Sequence, residues 1–246
     1  MNCAQALRRS ALPLTLEENT VHAWSADLDR SPYEIRRLHD TLSPDERERA
    51  FRFRFAGDQQ RFIASRGILR DILARYVGRP PDALHFSYGP FGKPSLADDC
   101  ASDLRFNLSH SGNVALYAVT HNREVGVDVE RIDSSFVDDG IEEKFFSDNE
   151  IAKLRSLHTS ERPRAFFNCW TRKEAYVKAC GGGLQISLQS FEVSLAPHEA
   201  VEFLSTGESG WSLLALPLGR DYAAAVAVEG NNCELKSWHW LMQPTQ

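Results

Sequence analysis

Between positions 125 and 130 the chain reads Val-Gly-Val-Asp-Val-Glu. This strict period of two predicts a β-strand with its three valines on one face and Gly126, Asp128 and Glu130 on the other. Residues 21–26 (Val-His-Ala-Trp-Ser-Ala) predict an earlier strand. From Ser43 the pattern turns helical, with a serine cap, Pro44 in the first turn and Asp45 favoured by the helix dipole. A second helix is expected over about 59–76, with Phe62, Ile63, Ile68, Leu69, Ile72 and Leu73 as its apolar face and Arg79-Pro-Pro81 as its stop. Residues 85–88 read as a short strand, 89–94 as a turn-rich loop carrying Lys93, and 98–103 as a polar connector. Segments 114–120 and 124–131 are expected to form an antiparallel pair joined by a tight turn at 121–123. Helices are expected over 141–146, 148–157 and about 162–180, the last ended by Gly181-Gly-Gly183. Strands at 191–195, 211–216, 222–228 and 237–240 complete the pattern. Helices and strands therefore come in blocks, which indicates the α+β class, with an N-terminal half (1–120) and a C-terminal half (121–246) of similar layout.

Composition adds limits. Of 246 residues, 42% are hydrophobic and 25% charged, as in an ordinary globular protein. No apolar run approaches the ~20 residues of a membrane helix, so no membrane partner is expected. Arg8 and Arg9 precede Ala-Leu-Pro-Leu (11–14), a stretch too short and Pro-broken for a signal peptide. Cys3, Cys100, Cys169, Cys180 and Cys233 are odd in number and lack zinc-like spacing, which favours reduced thiols and a cytoplasmic location. A net charge of −6 runs against a nucleic-acid binder. Even so, Arg47, Arg49, Arg52, Arg54, Arg61, Arg66, Arg70 and Arg75 crowd one segment. That segment is either an anion-binding face or a solvated helix with Glu/Arg pairing.

The candidate chemistry starts from a misplaced carboxylate. At helical spacing Phe167, Trp170 and Val177 share one apolar stripe, with Glu174 in its middle. A buried carboxylate is costly unless it is paired, protonated or bound to metal. Alone, Glu174 could simply pair with Lys178 one turn on, and Asp128-x-Glu130 could be an exposed strand face. Together, with Lys173 and Lys178 beside them, the three acids make an oxygen-rich site suited to Mg²⁺ and a pyrophosphate. Gly126, on the same face, allows a ligand or another backbone to come close. Residues 106–113 (Phe-Asn-Leu-Ser-His-Ser-Gly-Asn) read as a loop feeding a strand. Ser109 and His110 there could offer donors to an anion, or form an ordinary hydrogen-bonded turn. The chain has no Gly-x-Ser-x-Gly elbow of the kind that carries a nucleophilic serine.

Taken in order, 106–112, Val-Gly-Val-Asp-Val-Glu (125–130), Phe-Phe-Ser-x-x-Glu (145–150) and Trp-Thr-Arg-Lys-Glu-Ala-x-x-Lys (170–178) resemble the motifs of the 4′-phosphopantetheinyl transferases. Gly-Gly-Gly-Leu (181–184) follows them, and Gly92-Lys93-Pro94 resembles a further motif upstream. Both halves in one chain resemble the Sfp-type class rather than the short trimeric acyl-carrier-protein synthases, over about residues 21–228. The resemblance implies a pseudo-twofold pair of α+β halves with the site in the cleft between them. It implies transfer of the phosphopantetheine arm of coenzyme A to a serine of a carrier protein, releasing adenosine 3′,5′-bisphosphate. Asp128, Glu130 and Glu174 would hold Mg²⁺, and Lys178 would offset charge as the phosphoanhydride breaks, with Lys173 nearby. Lys93, Ser109 and His110 would bind the nucleotide end, His110 at the 3′-phosphate. Arg49 and Arg61 match basic positions used for phosphate contact. Glu150 matches a residue proposed as general base, with a water on the metal as its rival. Glu46 departs from the pattern, since that stretch is often more basic in relatives. Carrier proteins of this family usually present an acidic recognition helix, so a basic or apolar rim is expected around the cleft, and a monomer can complete the site. Two other classes stay open: a phosphate-handling hydrolase that cleaves coenzyme A without a carrier, and a non-catalytic module binding coenzyme A or the carrier.

Overall fold

The first sheet is built around β1 (Thr20–Asp27), which pairs antiparallel with β5 (Val114–His121) and parallel with β9 (Glu234–His239), in the order β4-β5-β1-β9. The computed structural model of the protein describes residues 14–100, 102–133 and 140–242, so Cys3, Arg8, Arg9 and 11–13 lie outside the described residues. One face of this sheet is covered by α1 (Pro32–Asp40), α2 (Pro44–Phe51) and α3 (Ala56–Val77). There Ile68, Leu69, Ile72 and Leu73 are wholly buried in one cluster with Trp24, Leu28, Phe106 and Tyr117. α3 ends at Gly78, whose φ of +71° is the left-handed geometry of a helix stop. Sequence periodicity missed α1, which buries only Leu38; its signal was the Ser31-Pro32-x-Glu34 capping box.

The second sheet has the order β6-β8-β7, from β6 (Val125–Arg131), β7 (Trp211–Ala215) and β8 (Tyr222–Glu229). Its covering helix is α6 (Arg162–Cys180), flanked by the short α4 (Glu142–Phe145) and by α5 (Asp148–Ser156). Val125, Val127 and Val129 form a third cluster with Val21, Ala23, Leu116 and Val226, where the two sheets meet. The fold is α+β. Among the described residues no helix is long and apolar enough to cross a membrane.

Three sequence expectations need correction. Residues 106–111 are not a loop: they belong to β4 (Leu104–Ser111), which pairs with β5 across Gly112 at φ +57°. The expected pairing of 114–120 with 124–131 does not form. β5 already has β4 and β1 on its two edges, so the chain turns at Asn122 (φ +51°) and enters the second sheet, where β6 pairs with β8. The segment 191–195 contributes only an isolated bridge, Val193 to Phe203. The last strand leaves its own half and adds to the first sheet beside β1.

The arginine-rich segment resolves residue by residue. Glu46 is buried and accepts from Arg66 Nε (2.7 Å) and Arg70 Nε (2.6 Å), while Arg70 also donates to the carbonyls of Pro81 and Leu84. Glu46 thus serves the interior, where it pairs with two guanidiniums that would otherwise be buried without a counter-charge. Arg52 and Arg75 pair with Glu48 and Asp71, so pairing accounts for much of this cluster.

Candidate active site

The cleft exists because α6 lies directly on β6. A Cβ at Gly126 would stand 2.0 Å from the Ala175 carbonyl oxygen and 2.4 Å from the Ala179 nitrogen, both backbone atoms of α6. With no side chain there, Glu174 and Lys178 come down beside Asp128. Lys178 Nζ donates to Asp128 Oδ1 at 2.6 Å and to Ser109 Oγ at 3.1 Å, and the Ser109 hydroxyl donates to the same carboxylate oxygen at 2.8 Å. Ser111 Oγ donates to Glu130 Oε2 at 2.7 Å. Alternate residues of β4 therefore reach across to β6, and Asn107 Oδ1 extends the series by accepting from the Val127 amide at 3.0 Å. These side chains satisfy polar groups along the edge of β6 that no strand among the described residues pairs on that side. Leu108, His110 and Trp170 complete the lining of a cleft of about 430 Å³ with the three acids, Ser109 and Lys178.

Burial is the largest cause raising the proton affinity of Asp128, Glu130 and Glu174. Lys178 and Ser109 pull Asp128 back down, Ser111 does the same for Glu130, and the Asp128 charge pushes Glu174 further up. His110 is shifted the other way, by burial first and then by the positive charges of Lys178 and Arg61.

The acid cluster suits a divalent cation on one specific count. Asp128 Oδ2 is buried with no hydrogen-bond partner, a costly arrangement that an ion would relieve. Among the described residues no three acidic, imidazole or thiol groups are gathered so as to hold an ion by themselves. That is compatible with Mg²⁺, which keeps several waters and binds through one or two carboxylates plus substrate phosphate oxygens rather than in an all-protein cage.

A second cavity of about 460 Å³ opens from the same place, sharing His110, Glu174 and Lys178 and extending along Arg49, Phe53, Phe62 and Lys93. The Arg49 guanidinium lies 5.4 Å from the Phe62 ring centre, and Arg61 pairs with Asp58 at 2.8 Å. Phe51, Phe55, Tyr88 and Phe91 are exposed by 45% or more, and the first two alternate in sequence with Arg52 and Arg54. Of these, Tyr88 and Phe91 line the second cavity.

Three expected site residues line neither cavity: Arg61, paired with Asp58, and the buried Glu150 and Lys173. Glu150 is 2% exposed, accepts from the amides of Ser147 and Val193, and pairs with Lys173 Nζ at 2.8 Å. Lys173 is fully buried and donates to the carbonyls of Leu188 and Phe191 at 2.6 Å each. The assignments of Glu150 as general base and of Lys173 beside the pyrophosphate are corrected accordingly: the two form an interior ion pair that ties α5 and the 188–193 segment to α6. Lys173 neighbours Glu174 in the chain, but one residue turns a helix by about 100°, which sends the lysine into the core. Two other assignments change in kind. The Ser109 hydroxyl is spent on Asp128, and the Lys93 ammonium on Glu124 and the Ala179 carbonyl. Ser111 was missed, although its period-two relation to Ser109, opposite Asp128-x-Glu130, was readable.

A family model for the 4′-phosphopantetheinyl transferase superfamily matches residues 124–227, and one described as 4′-phosphopantetheinyl transferase, N-terminal, matches residues 24–122. The two matches meet at the turn where the chain changes sheets. The chain is 42% identical over 228 residues to the 4′-phosphopantetheinyl transferase HetI of Nostoc sp., covering 92% of this chain and 95% of that one. Identity to the 4′-phosphopantetheinyl transferase Sfp of Bacillus subtilis (strain 168) is 30%, covering 69% and 73% of the two chains. Against the L-aminoadipate-semialdehyde dehydrogenase-phosphopantetheinyl transferase of Xenopus laevis it is 28%, covering 76% and 68%. The chain belongs to the 4′-phosphopantetheinyl transferase superfamily.

Proposed function

We propose that the protein transfers the 4′-phosphopantetheine arm of coenzyme A to a serine hydroxyl of an acyl or peptidyl carrier protein. One observation carries this reading in a chain of this family: Asp128, Glu130, Glu174 and Lys178 converge on a cleft continuous with a cavity lined by Arg49 and His110. The serine oxygen bonds to the phosphorus that bears the pantetheine arm, and the phosphoanhydride bond breaks. Adenosine 3′,5′-bisphosphate leaves with the bonding electrons, and the serine proton must go to a base.

Lys178 stands where it can donate to a phosphoryl oxygen as charge builds on the leaving group. His110, Arg49 and Arg61 bind the nucleotide phosphates. With Glu150 sealed in the interior, this reading gives the serine proton to Glu174, which lines the cleft. A Mg²⁺ ion bound through one or two of the carboxylates of Asp128, Glu130 and Glu174 would offset the charge of the pyrophosphate. The same reading makes the enzyme a cytoplasmic monomer whose halves, 1–120 and 121–246, wall the cleft.

The test is direct. Incubated with coenzyme A, Mg²⁺ and an apo acyl carrier protein, the protein should add the mass of one phosphopantetheine arm to the carrier, and a chelator should abolish the gain. Cleavage of coenzyme A with the carrier unmodified would identify a hydrolase instead. Binding of coenzyme A without turnover on several carriers would identify a binding module.

Glu150→Gln separates the interior role from a chemical one. It strands the Lys173 ammonium in the core, so about 3–5 kcal/mol of folding stability should be lost in urea denaturation. The turnover number per folded molecule, measured at a temperature where the variant is folded, should stay within about twofold of wild type. A large loss of turnover at unchanged stability would restore Glu150 as a base.

A further inference from the structure

The hairpin formed by β2 (Phe86–Tyr88) and β3 (Pro94–Leu96) belongs to neither main sheet. Two strands of three residues cannot hold their own shape in water, yet this hairpin forms a wall of the cavity that carries His110 and Lys178. Its turn is closed by Gly89 N to Lys93 O (3.0 Å) and Gly92 N to Gly89 O (2.9 Å). On its other side lies a separate cavity of about 670 Å³, along Arg105 and Glu124. Something outside the hairpin must therefore fix its position.

Phe86 against Phe106 and the Arg66 bond to Tyr88 anchor β2, and a separate set of contacts holds the turn. The Phe91 ring rests on Gly183, where a Cβ would come within 3.3 Å of it, and the Lys93 stem passes 3.7 Å from the Cβ position of Gly181. The Lys93 ammonium then donates to the Ala179 carbonyl at 2.8 Å and to Glu124 Oε2 at 2.7 Å. Ala179 lies in the last turn of α6, whose carbonyls have no partner further along the helix and whose dipole favours a cation. Two of the three ammonium donors are thus committed to the second half of the chain. Glu124 in turn sits just ahead of β6 and is braced by Arg105 at 3.4 Å.

We propose that Glu124 is a positioning residue for coenzyme A. By holding Lys93 against the end of α6, it clasps the 86–96 hairpin in place as a wall of the nucleotide cavity. Lys93 then acts through the hairpin and not as a phosphate ligand. Turning the ammonium toward a phosphate would leave Glu124 with Arg105 alone and take a cation from the Ala179 carbonyl. This inference rests on the coenzyme A reading above.

The experiment is a double-mutant cycle on Lys93→Met and Glu124→Gln, read as KM for coenzyme A, KM for 3′-dephospho-coenzyme A and kcat. Amide exchange of residues 86–96 is followed in parallel. Each single variant should raise KM for coenzyme A by a similar factor, about 3- to 30-fold, the range of one coupled contact, and the double variant should be no worse than either. The factor should be the same for the dephospho substrate, kcat should move less than about twofold, and hairpin amides should exchange faster in both variants. Lys93→Arg, which keeps the cation, should recover part of the loss. A KM effect confined to Lys93→Met, or one that vanishes with the dephospho substrate, would make Lys93 a phosphate ligand and overturn the clasp. Unchanged hairpin exchange in both variants would overturn it as well. A wild-type protein that transfers nothing, with exchange accelerated in both variants, would instead sink the functional reading and leave the clasp standing.

Discussion

Glu174→Gln is expected to cut transfer by about 100-fold or more, the scale of losing one preorganised charged group from a site, while raising the melting temperature of the metal-free protein. The two effects share one cause. Burial, and then the charge of Asp128, raise the proton affinity of Glu174 above that of a free glutamate. A carboxylate with a raised folded-state pKa destabilises the fold when it is ionised. At neutral pH it is ionised in the unfolded chain, so an isosteric neutral amide removes the penalty. As pH falls through the folded pKa toward the ordinary value of 4.5, both states become protonated and the advantage of glutamine fades. Melting curves at pH 7.5 and pH 4, set beside transfer rates, check both parts. A variant that is less stable at neutral pH, or that transfers at the wild-type rate, would show that Glu174 is not a strained member of an acid cluster. The trade of stability for a charged site is a common one.

What the sequence made legible follows from which signals are local. The alternation at 125–130 needs only neighbours in the chain, so strand β6, its valine face and its face of Gly126, Asp128 and Glu130 could all be read. Glu174 was visible for the same reason, as a charge on an apolar helical stripe. Sheet membership is not local. Segments 114–120 and 124–131 look like a hairpin because the turn between them is short, and only the competition of β4 and β1 for the edges of β5 sends β6 to another sheet. Residues 106–111 combine polar residues with a glycine just beyond them, Gly112, which hid a strand whose polar side chains serve the neighbouring edge. Glu150 and Lys173 show the limit from the other direction. Motif resemblance marks them as important, and they are, but a shared motif does not distinguish an interior ion pair from a group in the cleft. Only burial does that.

Gly126→Ala is the change expected to damage fold and site together. The added methyl would meet Ala175 O at 2.0 Å, Ala179 N at 2.4 Å and Ala179 Cα at 3.0 Å. All three are backbone atoms of α6, so no rotamer change can clear them, and α6 has to lift from β6. Overpacking of a core typically costs about 1–3 kcal/mol, and a backbone clash belongs at the upper end of that range. In a domain of this size about 3 kcal/mol lowers the melting temperature by roughly 6–12 °C. The chemical cost should be larger. Glu174 and Lys178 ride on the helix that moves, while Asp128 and Glu130 stay on the strand, so the 2.6 Å contact between Lys178 and Asp128 opens. A displacement of about 1 Å between reacting groups can cost on the order of 100-fold in rate. Gly210→Ala is the control, because a Cβ there meets nothing within 4 Å, and it should leave stability and transfer near wild type. Urea denaturation and transfer rates of the two variants decide the matter. If Gly126→Ala lost stability but kept its turnover, the approach of α6 to β6 would matter for packing alone, and the geometry of the cleft would have to be set by the hydrogen bonds that Ser109 and Ser111 make from β4.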